Sequence, residues 1–166
     1  MFQFKEIHMT TAAPQASAIP EGIASADHPI NTFLTAMLTN DEVGQRTLPE
    51  LLDYLLISAI EGGSNYWCDS ILFNGKHPKP SEHGEEADYP WYSVAFRSGS
   101  LPLHVVPEGD APIALTADMA VNGLRLLVEG NHCRSDIRDS LVNHNYDAET
   151  ADVWLQLALF GEVVYG

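Results

Sequence analysis

Between Leu51 and Ile60 the chain offers a helix almost no polar side. Leu51, Leu52, Leu55, Leu56, Ile57, Ala59 and Ile60 cover nearly every direction around a helical axis. A helix apolar all round must be covered from several sides, so it forces other elements to pack around it. Its start is strongly marked. Thr47 and Glu50 form a T-x-x-E capping box, and Pro49 lies in the first turn, where a missing N–H costs nothing. Gly62 and Gly63 break or bend the helix, and Ser64 is placed to cap a short continuation through Tyr66, Trp67, Ile71, Leu72 and Phe73. A chain of 166 residues can cover such a helix, because at this length about two thirds of the unfolded surface is buried on folding.

The remaining elements follow from periodicity and punctuation. Asp27 can cap a helix over 28–39, with Ile30, Phe33, Leu34, Met37 and Leu38 on one face. Alternation along Trp91–Arg97, the turn Ser98-Gly99-Ser100 and the apolar residues Leu101, Leu103 and Val105 predict a β-hairpin of strands 91–97 and 101–106. A third strand is expected over 112–115. Thr116 caps a helix over 117–129, with Met119, Ala120, Gly123, Leu124 and Leu127 inward and Gly130 as its stop. A shorter helix is expected over 135–143. Asp147 caps a last helix over 148–160 with Ala151, Trp154, Leu155, Ala158 and Leu159 inward, and Glu162–Tyr165 reads as a closing strand. With the apolar helix taken over 48–60, four to five helices and a small antiparallel sheet of about three strands make the fold class α+β. Residues 10–26 are rich in Thr, Ala, Ser and Pro, so 1–26 reads as a flexible N-terminal arm before a single domain over 27–166, and Met9 offers a second start.

Charge narrows the function. Twenty-three acids against eight bases leave a formal charge of −15. Such a surface repels phosphate backbones and excludes direct nucleic-acid binding through a basic face, while it suits a basic protein partner. No stretch reaches the roughly 18 apolar residues of a membrane helix, and the N-terminus lacks the pattern of a signal peptide, so a cytoplasmic protein is expected. Cys68 and Cys133 form no CxxC pair and are expected as reduced thiols.

No phosphate-binding loop, nucleophile elbow, kinase signature, HExxH or zinc deaminase pattern occurs. His132 beside Cys133 lacks the second spaced pair that a zinc site needs, so neither metal nor cofactor is expected. Glu61, Asp69, His104 and His132 are the acid–base groups an unrecognised enzyme would draw on. Two binding features remain. Glu82, Glu85, Glu86 and Asp88 form the densest acid run, able to imitate a phosphate backbone toward a basic surface, or simply to solvate a loop. The segment Glu61, Gly62, Gly63, Asn65, Tyr66 and Trp67 joins close-approach glycines to aromatic faces, as a ligand or nucleotide pocket requires; it reads equally as a bend packing a helix on a sheet with Trp67 in the core.

The runs AIEGGSNYW (59–67), TADMAVNGLRLL (116–127) and ADVWLQLALFGEVVYG (151–166) resemble small hypothetical proteins of bacteriophages and actinobacteria that carry a similar A-x-EGG-x-x-YW segment. The likeness spans about residues 48–166. It implies a phage or prophage origin and an accessory role, and it carries over no residue's function. The reading is therefore a non-enzymatic acidic protein that inhibits a host nucleic-acid-targeting defence system by occupying a basic site. The alternative is a small-ligand-sequestering protein, expected as a homo-oligomer.

Overall fold

The computed structural model describes residues 47–73, 92, 95–99 and 101–166. The expected arm over 1–26, the helix over 28–39 and the acid run at 82–88 lie outside these residues.

Helix α1, Leu48–Ser58, begins where the capping box places it: the Glu50 carboxylate accepts from the Thr47 backbone N–H at 2.7 Å and from its hydroxyl at 2.9 Å. Leu51, Leu52, Leu55 and Leu56 are buried, each contributing about 1.5–3 kcal/mol on transfer from water. The helix then widens into a π-helical turn, Ala59–Gly63, closed by the Ser64 N–H on the Ala59 carbonyl at 2.6 Å. The glycines are there for proximity. A Cβ on Gly63 would lie 2.9 Å from the Asp152 Cβ and closer still to the Ala148 carbonyl oxygen.

The next element corrects the sequence reading. Residues after Ser64 do not continue as a helix; Cys68–Phe73 form strand β1. The Ser64 hydroxyl, which would have capped a helix, goes instead to Asp152. The Ser64 carbonyl accepts from the N–H groups of both Trp67 and Cys68, closing a tight turn from which the chain leaves extended. β1 pairs antiparallel with β2, Leu103–Pro107, in the register Ile71 opposite Val105 and Phe73 opposite Leu103, with an irregularity at Asp69. β2 in turn pairs antiparallel with β3, Ile113–Leu115, giving a three-stranded sheet in the order β1-β2-β3.

The partner expected for β2, a strand over 91–97, is therefore replaced by β1. Residues 95–99 form turns, and Tyr92 sits in a short 3₁₀ segment. The cause is Asp53, buried on α1: its carboxylate accepts from the Phe96 N–H at 2.8 Å, the Arg97 N–H at 3.4 Å and the Arg97 guanidinium at 2.7 Å. A buried carboxylate without partners is costly, and a turn supplies converging N–H groups that a paired strand would have committed to its ladder.

Helix α2, Ala117–Glu129, is capped by the Thr116 hydroxyl on the Met119 N–H and ends at Gly130. Helix α3, Ser135–Val142, is tied to the end of α2 by Arg138, whose Nε donates to the Val128 carbonyl at 2.9 Å. Helix α4, Ala148–Phe160, is capped by Asp147 and is buried without interruption from Thr150 to Ala158. It is the true centre, touching α1, the π-turn, α2, α3 and β3. α2 crosses it closely at Gly123, where a Cβ would meet Ala158 at 2.7 Å. The Trp154 indole N–H donates to the Ala120 carbonyl at 3.0 Å across the same contact. The expected closing strand at 162–165 is irregular backbone. Four helices and a three-stranded antiparallel sheet make the described part α+β, and none of its helices is long and apolar enough to cross a membrane.

Candidate functional site

The most polar feature of the interior is Asp152, on α4 and 5% exposed. Its Oδ1 accepts from the Ser64 hydroxyl and from the Trp67 indole N–H, both at 2.7 Å. Its Oδ2 accepts from the Tyr66 hydroxyl and from the Gln156 amide, both at 2.9 Å. The segment 64–67 thus wraps around one carboxylate, and none of the ion pairs among the described residues includes it. One turn along α4, the fully buried Gln156 extends the network. Its Oε1 accepts from the backbone N–H groups of Val164 and Tyr165 at 2.8 and 2.7 Å, and its Nε2 donates to the Tyr165 carbonyl at 3.0 Å. The Tyr165 ring stacks on Trp67 with centroids 5.0 Å apart, and Phe160 packs edge-on to both. Burial first, then the hydrogen bond to Asp152, pushes the Tyr66 phenol up to about 12.

Against one side of this network lies a cleft of about 560 Å³, within the size range of ligand-binding cavities. Gly62, Gly63 and Tyr66 form one wall and the loop His132–Arg134 another. Ile137, Val153 and Val163 provide apolar surface, while Glu149 and the edge of Asp152 are acidic. Arg134 is bound at the rim between Asp136, at 2.8 Å, and Glu149, at 3.0 Å. Tyr66, Val163 and Val164 are large side chains left well exposed. Cys133 also lines the cleft; burial pushes its thiol above the usual range, as it does that of Cys68. Both cysteines are free thiols.

The segment singled out in the sequence is divided by the fold. Gly62, Gly63 and Tyr66 reach the cleft, whereas Trp67 is core, 2% exposed, with its indole N–H and a ring face already engaged. The Glu61 carboxylate accepts from the Tyr92 hydroxyl at 3.1 Å, and Asn65 lines a smaller hollow of about 370 Å³ beside Asp69. His104 stands on the central strand opposite Leu72 and Ala114, its buried Nδ1 without a hydrogen-bond partner among the described residues. The four acid–base candidates do not share a site: His132 lines the larger cleft, Asp69 the smaller hollow, and Glu61 and His104 neither. No group of three or more His, Cys, Asp or Glu among the described residues is placed to hold a metal ion.

Asp152 and Gln156 escaped the sequence reading. The signal was present as two polar residues one turn apart in the otherwise apolar run Ala151–Phe160, a pattern that places amide and carboxylate on a buried face. Comparison with family models, curated proteins and solved structures finds no match to this chain.

Proposed function

We propose that this protein is a non-enzymatic, acidic binding protein that acts by occupying a basic surface of another protein, of the kind that handles nucleic acid. The observation that carries this reading is the distribution of charge. All four arginines of the described residues pair with acids: Arg97 with Asp53, Arg125 with Glu129, Arg134 with Asp136 and Glu149, and Arg138 with Asp139. No lysine occurs among these residues, so the cations present are neutralised locally while acids such as Asp69, Glu108, Asp110 and Glu162 add to the negative field. A field of one sign steers association with a partner of the other and makes binding sensitive to salt. The interior supports a structural use of its best-placed acid, since both oxygens of Asp152 are engaged by four internal donors. A host defence nuclease or other nucleic-acid-targeting factor is the partner class that a phage-type accessory protein would meet.

Native mass spectrometry of the protein purified from its own host at low salt tests the reading. A basic protein partner that dissociates by about 0.3 M salt is expected, because exposed charges are then screened beyond roughly a few ångströms. Replacing Glu82, Glu85 and Glu86 by Lys is expected to abolish the complex with the fold intact. A complex indifferent both to salt and to that replacement would overturn it.

A further inference from the structure

We infer that the cleft between the π-turn, the His132–Arg134 loop and the C-terminal segment receives an arginine side chain of the partner; this rests on the basic-partner reading above. The cleft combines apolar, aromatic and acidic surfaces. Ile137, Val153 and Val163 offer apolar walls suited to an aliphatic stem, and Tyr66 and Tyr165 add aromatic rings. Long cationic side chains bury such stems while keeping the charged head at a polar edge, and a guanidinium is attracted to tyrosine rings. The charges around the mouth select the sign. Arg134 is countered there by Asp136 and Glu149, Glu162 adjoins Val163, and Asp152 reaches the floor. The local balance is negative, so an anionic or neutral guest is disfavoured relative to a cationic one.

Glu149 is the group that would meet the head. It is 56% exposed at the rim, and its one ion pair among the described residues, with Arg134 at 3.0 Å, leaves acceptor capacity on a carboxylate that can take about four hydrogen bonds. Arginine fits better than lysine, because its planar fork makes paired bonds to a carboxylate and loses less hydration on entering an apolar cleft. The exposed Tyr66, Val163 and Val164 then form an apolar collar that the partner covers as the side chain enters.

The test is a titration of the isotope-labelled full-length chain with a capped arginine–glycine repeat peptide and with its citrulline counterpart, which keeps the shape and removes the charge. Salt-sensitive shifts are expected at Ile137, Val153 and Val163 with the arginine peptide, and affinity at least about tenfold weaker for citrulline, the size of one lost charge-assisted contact. Glu149→Gln should weaken the arginine peptide by about tenfold. It removes the acceptor and releases Arg134 from one of its partners. Asp118→Asn, the same loss of charge at an exposed site on α2, should change affinity less than about twofold. Equal effects of the two variants, or shifts confined to residues away from the cleft, would overturn the cleft assignment while leaving the acidic-binder reading intact. A cleft still holding a small molecule after purification would also overturn it. Failure of the arginine peptide to bind anywhere would overturn both.

Discussion

Replacing Asp152 by asparagine preserves the shape of the side chain and inverts half of its hydrogen-bonding character. Four donors converge on the two carboxylate oxygens, two of which have no freedom to turn away. The Trp67 indole N–H is fixed by a ring packed against Tyr165 and Phe160. The Gln156 amide cannot flip, because its oxygen holds the Val164 and Tyr165 N–H groups. An asparagine oxygen can satisfy one pair of donors, but its NH₂ must then face the other pair. If it faces Tyr66 and Gln156, the Tyr66 hydroxyl can rotate to accept and give its proton to the Tyr165 carbonyl, 3.1 Å away, while the Gln156 N–H keeps only its longer, 3.3 Å contact to the Tyr66 oxygen. A buried donor left with one long, weak bond costs up to about 1–3 kcal/mol, and a charge-assisted bond reduced to a neutral one about 1 kcal/mol more, so the expected loss is about 2–4 kcal/mol. For a domain of this size that corresponds to a fall in Tm of roughly 5–15 °C. Urea unfolding followed by tryptophan fluorescence reads it directly, and hydrogen exchange at Val164 and Tyr165 should accelerate with it. A loss below about 1 kcal/mol with unchanged exchange would refute the claim that this carboxylate organises the C-terminal segment.

Gly63→Ala is expected to destabilise by about 2 kcal/mol or more, well beyond an ordinary surface substitution, because the new Cβ collides with Ala148 and Asp152; an unchanged urea midpoint would contradict the close approach. The raised Tyr66 phenol favours the neutral form in the folded protein, so its contribution is fully present below the ordinary phenol value near 10 and is lost as pH rises toward about 12. Ultraviolet titration should show tyrosine ionising late, and the Tyr66→Phe variant should lose one such step while Tyr92, also raised by burial and by Glu61, keeps its own. Because burial disfavours the Cys133 thiolate, its alkylation by iodoacetamide at about pH 8 should be slower than that of free cysteine; a faster rate would place the thiol in a different environment.

The starts of α1, α2 and α4 and the end of α2 were legible in the sequence because each is written locally. Thr47 with Glu50, Thr116, Asp147 and Gly130 mark boundaries by side-chain chemistry that needs no distant partner. The sheet was not legible to the same degree. Cys68–Phe73 carries a helix-compatible apolar pattern after a good capping residue, and its strand is tied to partners distant in sequence: Asp152, which takes the Ser64 hydroxyl and the Trp67 indole, and β2. The alternation of 91–97 was equally local evidence, and its described residues answer instead to Asp53 on α1. In both places a buried carboxylate far away in sequence decides the conformation. The cleft shares this origin: the sequence singled out Gly62, Gly63 and Tyr66, but Ile137, Glu149, Val153 and Val163 join them only through the packing of α3 and α4.

The π-turn at Ala59–Gly63 sets the phase of everything after it. One residue more per turn than an α-helix means that Ser64, Tyr66 and Trp67 leave the helix rotated by about 100° from where an uninterrupted α-helix would send them. Winding the same residues as a regular α-helix would aim these side chains past α4, with every amino acid of the network still present. The folded topology therefore depends on a count of residues in one turn as well as on chemistry.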